Sequence, residues 1–521
     1  MTIPSEANAN YEKWLAFWDR LPIWLILFVL LMSHKWGIDI SGGEAHYLSY
    51  AKHYMDPEWI PGSFTFSEEP GSRMLFQLVF GSLSRYFDFI TLVGLTRLFN
   101  FLLYAIVLGN LVKFLGIPNW LTFVIFEIYL VAMQCFFGSE WIFISFEPKT
   151  MAYVCLFAGL LSWMKGAWRT TAWWMTMGTY FHFLVGGWFM LTLAILSLGQ
   201  HRGQKAIRMI LWYAFGISPL LLYIYSVIAN VPPEENGLRA NWIYVYYRLP
   251  HHLGLFKTMD YFRDTHLTGV LWTFIWWVII WWKRGLWRAS RPWHLLRQVH
   301  SLMGLMIMLF VGIAWVDAAF LNHSGGLLLK SYPFRQDALF KFFTFFLVAY
   351  WGYKLLQEKN WLHFVTPVPF LLLILTIAQT NNNIGRNRRF LDRPEYFKMT
   401  NWISENTPVK STLIPYHVPE NERITLGLFT DRDPWVEWKF VPAGTDKIYT
   451  WYLRQMQLDT FQQTGKVSPI AESVQDGIPL IVTRDVDLPD TTQLQRIYKN
   501  AAFKVWSCHP VSSTPDRPVN N

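Results

Sequence analysis

Cysteine is scarce: the 521 residues hold only Cys135, Cys155 and Cys508. They are far apart and odd in number, so neither a disulfide framework nor a cysteine-based metal site is expected. Charge is sparse too, at 16% of residues where soluble domains carry about 25%. No glycine-rich nucleotide loop and no internal repeat is found, which argues against nucleotide-binding and solenoid folds. What is abundant is apolar: 53% hydrophobic and 18% aromatic residues, with 29 tryptophans. A soluble fold cannot hide so many rings, whereas the two faces of a bilayer hold Trp and Tyr with the ring buried and the polar edge wet. The net charge of +9 does not signal nucleic acid. The excess Lys and Arg fall mostly in short loops between apolar runs, where membrane topology needs them.

A spanning helix needs about 20 apolar residues. The first run, Leu21 to Met32, has no small-residue cleavage site after it and reads as an uncleaved helix. An acidic stretch, His34 to Ser72, follows; it holds Asp39, Glu44, Asp56, Glu58, Glu68 and Glu69 against Lys35 and Lys52. Met74–Phe87 is short and amphipathic and reads as a surface helix. Crossings are expected at Phe89–Val112, Leu121–Cys135, Met151–Met164, Met209–Ile228, Gly269–Trp282, Leu302–Leu321, Phe340–Tyr353 and Trp361–Ile377. Ala172–Leu198 reads as two short helices meeting near His182, which brings the expectation to about eleven transmembrane helices. With the N-terminus cytoplasmic, the inside loops collect Lys113, Lys165, Arg169, Lys205, Arg208 and the Lys283–Arg297 cluster. That parity obeys the positive-inside rule and puts the acidic loop, the Glu147 and His251 loops and the C-terminal region outside.

After Asn381-Asn382-Asn383 the composition becomes that of a soluble domain. Helices are expected at Pro394–Glu405, Asp446–Gln463 and Thr491–Ala501, and strands at Ser411–Ile414, Pro479–Thr483 and Phe503–Ser507. The fold class is therefore an α-helical polytopic membrane domain, residues 1–383, with a soluble α/β domain, residues 384–510, and a disordered tail, residues 511–521.

Five places could carry chemistry. Asp39-Ile-Ser-Gly-Gly-Glu44-Ala-His-Tyr47 lies just beyond the first membrane helix. A carboxylate there is within reach of a lipid head group and could act as a base, or belong to a solvated acidic loop. Glu147-Pro-Lys149 sets a carboxylate and an ammonium at a helix start, as a site or as an anchor favoured by the helix dipole. His182 is ionisable at membrane depth, a functional position or a packed one. Arg248-Leu-Pro-His251-His252 offers phosphate-binding and proton-donating groups. Lys330 and Arg335 lie in the last outside loop, where Arg335 could grip a phosphate or snorkel.

The plan of one helix, an acidic outside loop with surface helices, many further helices and an outside α/β domain resembles the GT-C glycosyltransferases. These membrane enzymes take a sugar from a polyprenyl-phosphate donor. Gly43-Glu44-Ala45-His46-Tyr47 with Ala51 resembles the family's acidic motif, with Gly43 where the family has a second acid. Arg97 and the His182 helix pair fit the same pattern. The resemblance implies Glu44 as catalytic base, Asp39 as its helper for the acceptor or a divalent cation (Mg or Mn), and Arg335 with Lys330, Arg248, His251 and His252 holding the leaving phosphate. A second resemblance spans nearly the whole chain, through Phe146-Glu-Pro-Lys149, Pro333-Phe-Arg335, Asn406-Thr-Pro408 and Asp431-Arg432-Asp433. It is to bacterial polytopic membrane proteins without an assigned activity, and it implies architecture only.

The function expected is a glycosyltransferase of the bacterial inner membrane, acting in envelope polysaccharide synthesis on a glycan, lipid or protein acceptor. A transporter or flippase of lipid-linked precursors, or a non-catalytic envelope assembly protein, would use many of the same residues.

Overall fold

Apolar runs without backbone partners in lipid must form helices, and they do. The computed structural model describes residues 5–67, 71–200, 203–228, 231–285, 287, 290–324, 326–359, 361–442, 446–474, 477–489, 491 and 494–508. Glu68, Glu69 and the tail expected at 511–521 lie outside these residues. Chain contacts define two units. The first is Met1–Gly37, Leu95–Leu222 and Val245–Gly385; the second is Ile38–Gly94, Tyr223–Tyr244 and Arg386–Asn521.

The first unit is helical. It contains α1 (Ser5–Arg20), α2 (Ile23–Lys35), most of α5 (Phe89–Leu115), α6 (Asn119–Val131), α7 (Pro148–Met164), α8 (Trp168–Phe181), α9 (Phe183–Gly199) and most of α10 (Gly203–Ile228). Next come α11 (Met259–Trp282), α12 (Arg291–Phe320), α13 (Asp337–Glu358) and most of α14 (Val368–Leu391). Among the described residues, six helices are long and apolar enough to cross a membrane, α5 and α10 to α14, and the pair α1–α2, bent by 76°, makes a seventh. The protein is thus a polytopic α-helical membrane protein with α6 to α9 as shorter members of the bundle. His182 closes α8 and opens α9 with extended backbone angles, the break expected there.

Several boundaries differ from expectation: α11 begins at Met259 and α12 at Arg291, about ten residues early, and α13 runs to Glu358. Helix α6 stops at Val131 rather than Cys135, and beyond it the amides of Phe136 and Phe137 are taken by a side chain of α13. Helix α14 runs on through Asn381–Asn383 to Leu391, and Asn383 donates its side-chain amide to the Ser33 carbonyl. A polar run thus stays helical when a neighbour satisfies it.

The second unit joins the acidic loop to the α/β domain. It contains α3 (Gly42–Met55), α4 (Met74–Leu83), α15 (Pro394–Asn406), α16 (Glu420–Thr430) and α17 (Lys447–Thr464). Its sheet has the order β2-β1-β3-β5-β4, with β1 (Thr412–Tyr416), β2 (Asp433–Pro434), β3 (Pro479–Arg484), β4 (Gln495–Lys499) and β5 (Phe503–Ser507). Strands β2, β1 and β3 are parallel, and β5 is antiparallel to β3 and β4. Leu413, Leu480, Val482 and Val505 pack on Met399 and Ile403 of α15.

The helix expected at Thr491–Ala501 is instead strand β4. Its side chains are largely exposed, so polarity masks the strand period. Asn500 sets the hairpin, its Oδ1 accepting from the amides of Ala502 (3.1 Å) and Phe503 (2.7 Å). Helix α16 was not expected.

The loop and the domain are bound by the Asp431-Arg432-Asp433 segment. Trp59 Nε1 donates to Asp431 (2.7 Å), and Ser63 Oγ donates to Asp433. Thr65 donates to the Pro434 carbonyl at 2.8 Å. Arg432 is buried, and its guanidinium donates to the carbonyls of Ser404, Thr407, Thr430 and Asp431. These lie at the C-terminal ends of α15 and α16, where helices leave carbonyls without intrahelical donors. Arg432→Leu strips those carbonyls of a charged donor, and a loss of about 3 kcal/mol or more is expected. Chemical denaturation followed by tryptophan emission reads it; an unchanged midpoint would exclude this role.

Candidate functional site

Arg335 has few ways to exist inside a helical bundle. Buried, it needs carboxylates or carbonyls around it. It sits in the short helical turn Pro333–Gln336 that leads into α13, and Tyr332 before it is in the left-handed region at φ 57°. Its Nη2 lies 3.6 Å from Glu140 Oε1, and its Nη1 lies 3.2 Å from Nε2 of His182, at the α8–α9 break. The guanidinium also stacks on the Tyr332 ring at 4.3 Å.

Glu140 is the centre of this network. Its other oxygen accepts from Lys149 Nζ at 3.0 Å, and Lys149 reaches Glu147 at 3.6 Å. Lys149 also stands 3.9 Å over the Trp141 ring. Burial alone would raise the Glu140 carboxyl, but Arg335 and then Lys149 outweigh it and hold it well below the usual range. His252 approaches the same carboxylate at 3.9 Å, yet donates from Nδ1 to the Gly138 carbonyl at 2.7 Å. Its burial dominates and lowers it to about 3, so the ring is neutral and Nδ1 carries the proton. The phenol of Tyr153, on α7, is buried without a hydrogen-bond partner among the described residues.

The loop between α6 and α7 presents Glu140 because three devices fix its path. Asp337 Oδ2, in the first turn of α13, accepts from the amides of Phe136 (2.9 Å), Phe137 (2.8 Å) and Gly138 (3.0 Å). Gln134 Oε1 accepts from the amides of Ile142 (2.8 Å) and Phe143 (2.9 Å). Finally, the Phe136 carbonyl lies against Gly269 of α11, where a Cβ would be 2.2 Å from the oxygen. Only glycine admits that approach.

The same loop borders an apolar cavity of about 740 Å³, walled by Ile128, Phe136, Trp272, Trp276 and Phe345, with Lys341 at its edge. Lys341 donates to the Cys135 carbonyl at 3.0 Å. The size is that of ordinary ligand pockets, about 300–1,000 Å³.

Of the residues singled out from sequence, the first unit brings together Glu147, His182, His252 and Arg335. His251 stacks on His252 with ring centroids 4.2 Å apart. Arg248 is buried at the end of the wide turn Ile243–Arg248, and Lys330 is half-buried after the short helix Gly326–Leu329. Glu44 and Asp39 belong to the second unit. Glu44 is buried and forms a capping box: Ser41 N donates to Glu44 Oε2 (2.9 Å), and Glu44 N donates to Ser41 Oγ (3.3 Å). Asp39 pairs with Arg386 at 2.8 Å. No group of three or more His, Cys, Asp or Glu among the described residues is placed to hold a metal ion.

Sequence reasoning missed Glu140, Asp337, Tyr153 and the role of Lys149. Glu140 was legible as an acid inside the apolar stretch 132–146. Asp337 was legible only as the acid that follows Arg335.

The crystal structure of ArnT from Cupriavidus metallidurans in the apo state is similar to this chain, at 13% identity over 96% of this chain and 98% of that one, with a TM-score of 0.43. At that level the likeness by itself assigns no function. No family model matches the chain, and no curated protein matches it.

Breaking a buried pair typically costs about 3–5 kcal/mol, and Glu140→Gln is expected to fall there. Adding Arg335→Met should recover part of the loss; a double-mutant cycle of thermal midpoints with no coupling would contradict the network. His252 gives a pH signature. Folded His252 stays neutral to about pH 3, while the unfolded ring protonates near about pH 6.5. Stability therefore falls as pH drops through that window. His252→Gln should flatten this part of the melting profile, and an unchanged slope would reject the neutral assignment.

Proposed function

We propose that this protein is a membrane glycosyltransferase that moves a sugar from a polyprenyl-phosphate donor to an extracytoplasmic acceptor in the bacterial cell envelope. One observation carries the reading: the α6–α7 loop lines a chain-sized apolar cavity with Met133, Cys135 and Phe136 and, a few residues on, carries the buried Glu140–Lys149–Arg335 network. A lipid phosphate needs those two environments side by side, one for its tail and one for its head.

In the transfer, an acceptor hydroxyl attacks the anomeric carbon, the bond from that carbon to the phosphate oxygen breaks, and negative charge builds on the leaving phosphate. Arg335 and Lys149 are suited to that charge, since a fixed guanidinium favours the state in which it is largest. Arg248, His251, His252 and Lys330 are further candidates for the phosphate. The proton of the acceptor hydroxyl needs a base, and for that role the proposal keeps Glu44, with Asp39 assisting. The α/β domain is assigned to the acceptor.

Two substitutions test separate parts. Glu44→Gln preserves the capping box, because Gln serves at that position as well as Glu. It should leave the thermal midpoint unchanged and cut turnover at least about a hundredfold, the usual worth of a general base. Arg335→Lys keeps charge but loses the fork, and should weaken use of the lipid donor. Surface glycans and lipid-linked sugars are compared in cells at matched protein levels. Loss of a glycan with accumulation of a polyprenyl-phosphate sugar supports the transferase. An unchanged profile in both variants would overturn it and leave a transporter or an assembly protein.

A further inference from the structure

The surface of the first unit bears a groove that the proposed transfer does not use. It lies between α8 and α10, has a volume of about 580 Å³, and is walled by Trp173 and Thr176 on one side and Trp212 and Phe215 on the other. Arg169, in the first turn of α8, lies at its edge.

The helices that form the groove are held closely together. A Cβ on Gly216 would stand 2.8 Å from Thr176 Oγ1. Tyr180 donates its hydroxyl to the Gly216 carbonyl at 3.2 Å, and the hydroxyls of Thr179 and Tyr213 are 2.9 Å apart. With the backbones fixed by these contacts, the large rings turn outward: Trp173 and Trp212 are each 55% exposed and Phe215 74%. Rings so exposed on apolar helices face lipid, and Trp suits the level of the head groups.

The cation is placed to match. Arg169 is exposed, its guanidinium lies 5.0 Å from the Trp168 ring, and among the described residues no carboxylate lies within ion-pair distance of it. Lys165, in the same turn between α7 and α8, stands 5.7 Å over the ring of Phe114 at the end of α5. There a second groove, of about 490 Å³, runs along α2 and α5 past Trp24 and Ile106 to Lys113. One end of the bundle therefore carries Lys113, Lys165 and Arg169, with an apolar groove running to two of them. Basic groups that terminate grooves between membrane helices are the pattern that recognises anionic lipid head groups.

We propose that the α8–α10 groove binds an anionic glycerophospholipid, with its phosphate against Arg169 and an acyl chain between Trp173 and the Trp212–Phe215 wall. Charge complementarity selects an anionic over a zwitterionic head group. The site rests on the membrane character of the bundle and not on the transferase reading.

The test uses the full-length protein, delipidated in detergent and offered equal amounts of phosphatidylglycerol and phosphatidylcholine, with bound lipid counted by native mass spectrometry. One cation at the lipid surface corresponds to a preference of about fivefold. Wild type should retain phosphatidylglycerol by that margin. Arg169→Gln should lose the preference, and Arg169→Lys should keep most of it. Lys205→Gln, which removes an exposed cation of α10 outside the groove, should behave as wild type. Equal preference in wild type and Arg169→Gln, or no preference in wild type, would overturn the proposal.

Discussion

Everything in the first unit turns on the cost of burying a charge. A guanidinium taken out of water must be met by carboxylates or aligned oxygens, or the fold does not hold it. Arg335 is buried, and the structure answers with Glu140, with His182 at the helix break and with the face of Tyr332. Each partner comes from a different part of the chain, so a single buried charge ties the α6–α7 loop, the α8–α9 break and the approach to α13 together. Helices packed only by apolar contacts could slide against one another in lipid, where tails are as apolar as leucine. Directional ion pairs cannot slide.

The loop itself is organised by one acid that does no visible chemistry. Asp337 takes three consecutive amides, a nest that in other settings receives an anion. By supplying the anion from its own sequence, the protein fixes the path of the chain beyond α6, where it passes against α11 at Gly269. The Gly138 carbonyl is then presented to His252, and Glu140 follows directly. The position of Glu140 is thus decided two steps away, by an Asp on another helix and a Gly on a third.

These facts explain what sequence could reveal. The helices were legible because lipid allows few alternatives, and the α/β domain because its buried strands Leu413–Ile414 and Leu480–Val482 are continuous apolar runs. Strand β4 was not, since an exposed edge strand of Gln, Arg, Tyr and Lys shows no period-two signal. The break at His182 and the candidates Glu147, Arg335 and His252 were visible as polar groups beside apolar helices. Asp337 acquires meaning only from amides about two hundred residues away in sequence, and Glu140 draws on Arg335 at a like separation as well as on Lys149 nearby. Glu44 shows the opposite case. Ser41-x-x-Glu44 is a capping box written in four consecutive residues, and the structure forms it, so this part of the Glu44 environment was legible locally.

The ion network has a further property that bears on what it can accept. Its two cations, Lys149 and Arg335, face two carboxylates, Glu140 and Glu147, while His252 is neutral. The contacts within it are unequal. Lys149 holds Glu140 at 3.0 Å, whereas Arg335 stands 3.6 Å from the same carboxylate. A charge-assisted hydrogen bond is shorter, at about 2.7–2.9 Å. Arg335 is thus oriented by Glu140, by His182 and by the face of Tyr332. Lys149 therefore keeps a short contact to Glu140 that does not depend on the longer Arg335 pair, and the carboxylate is held from two separate parts of the chain.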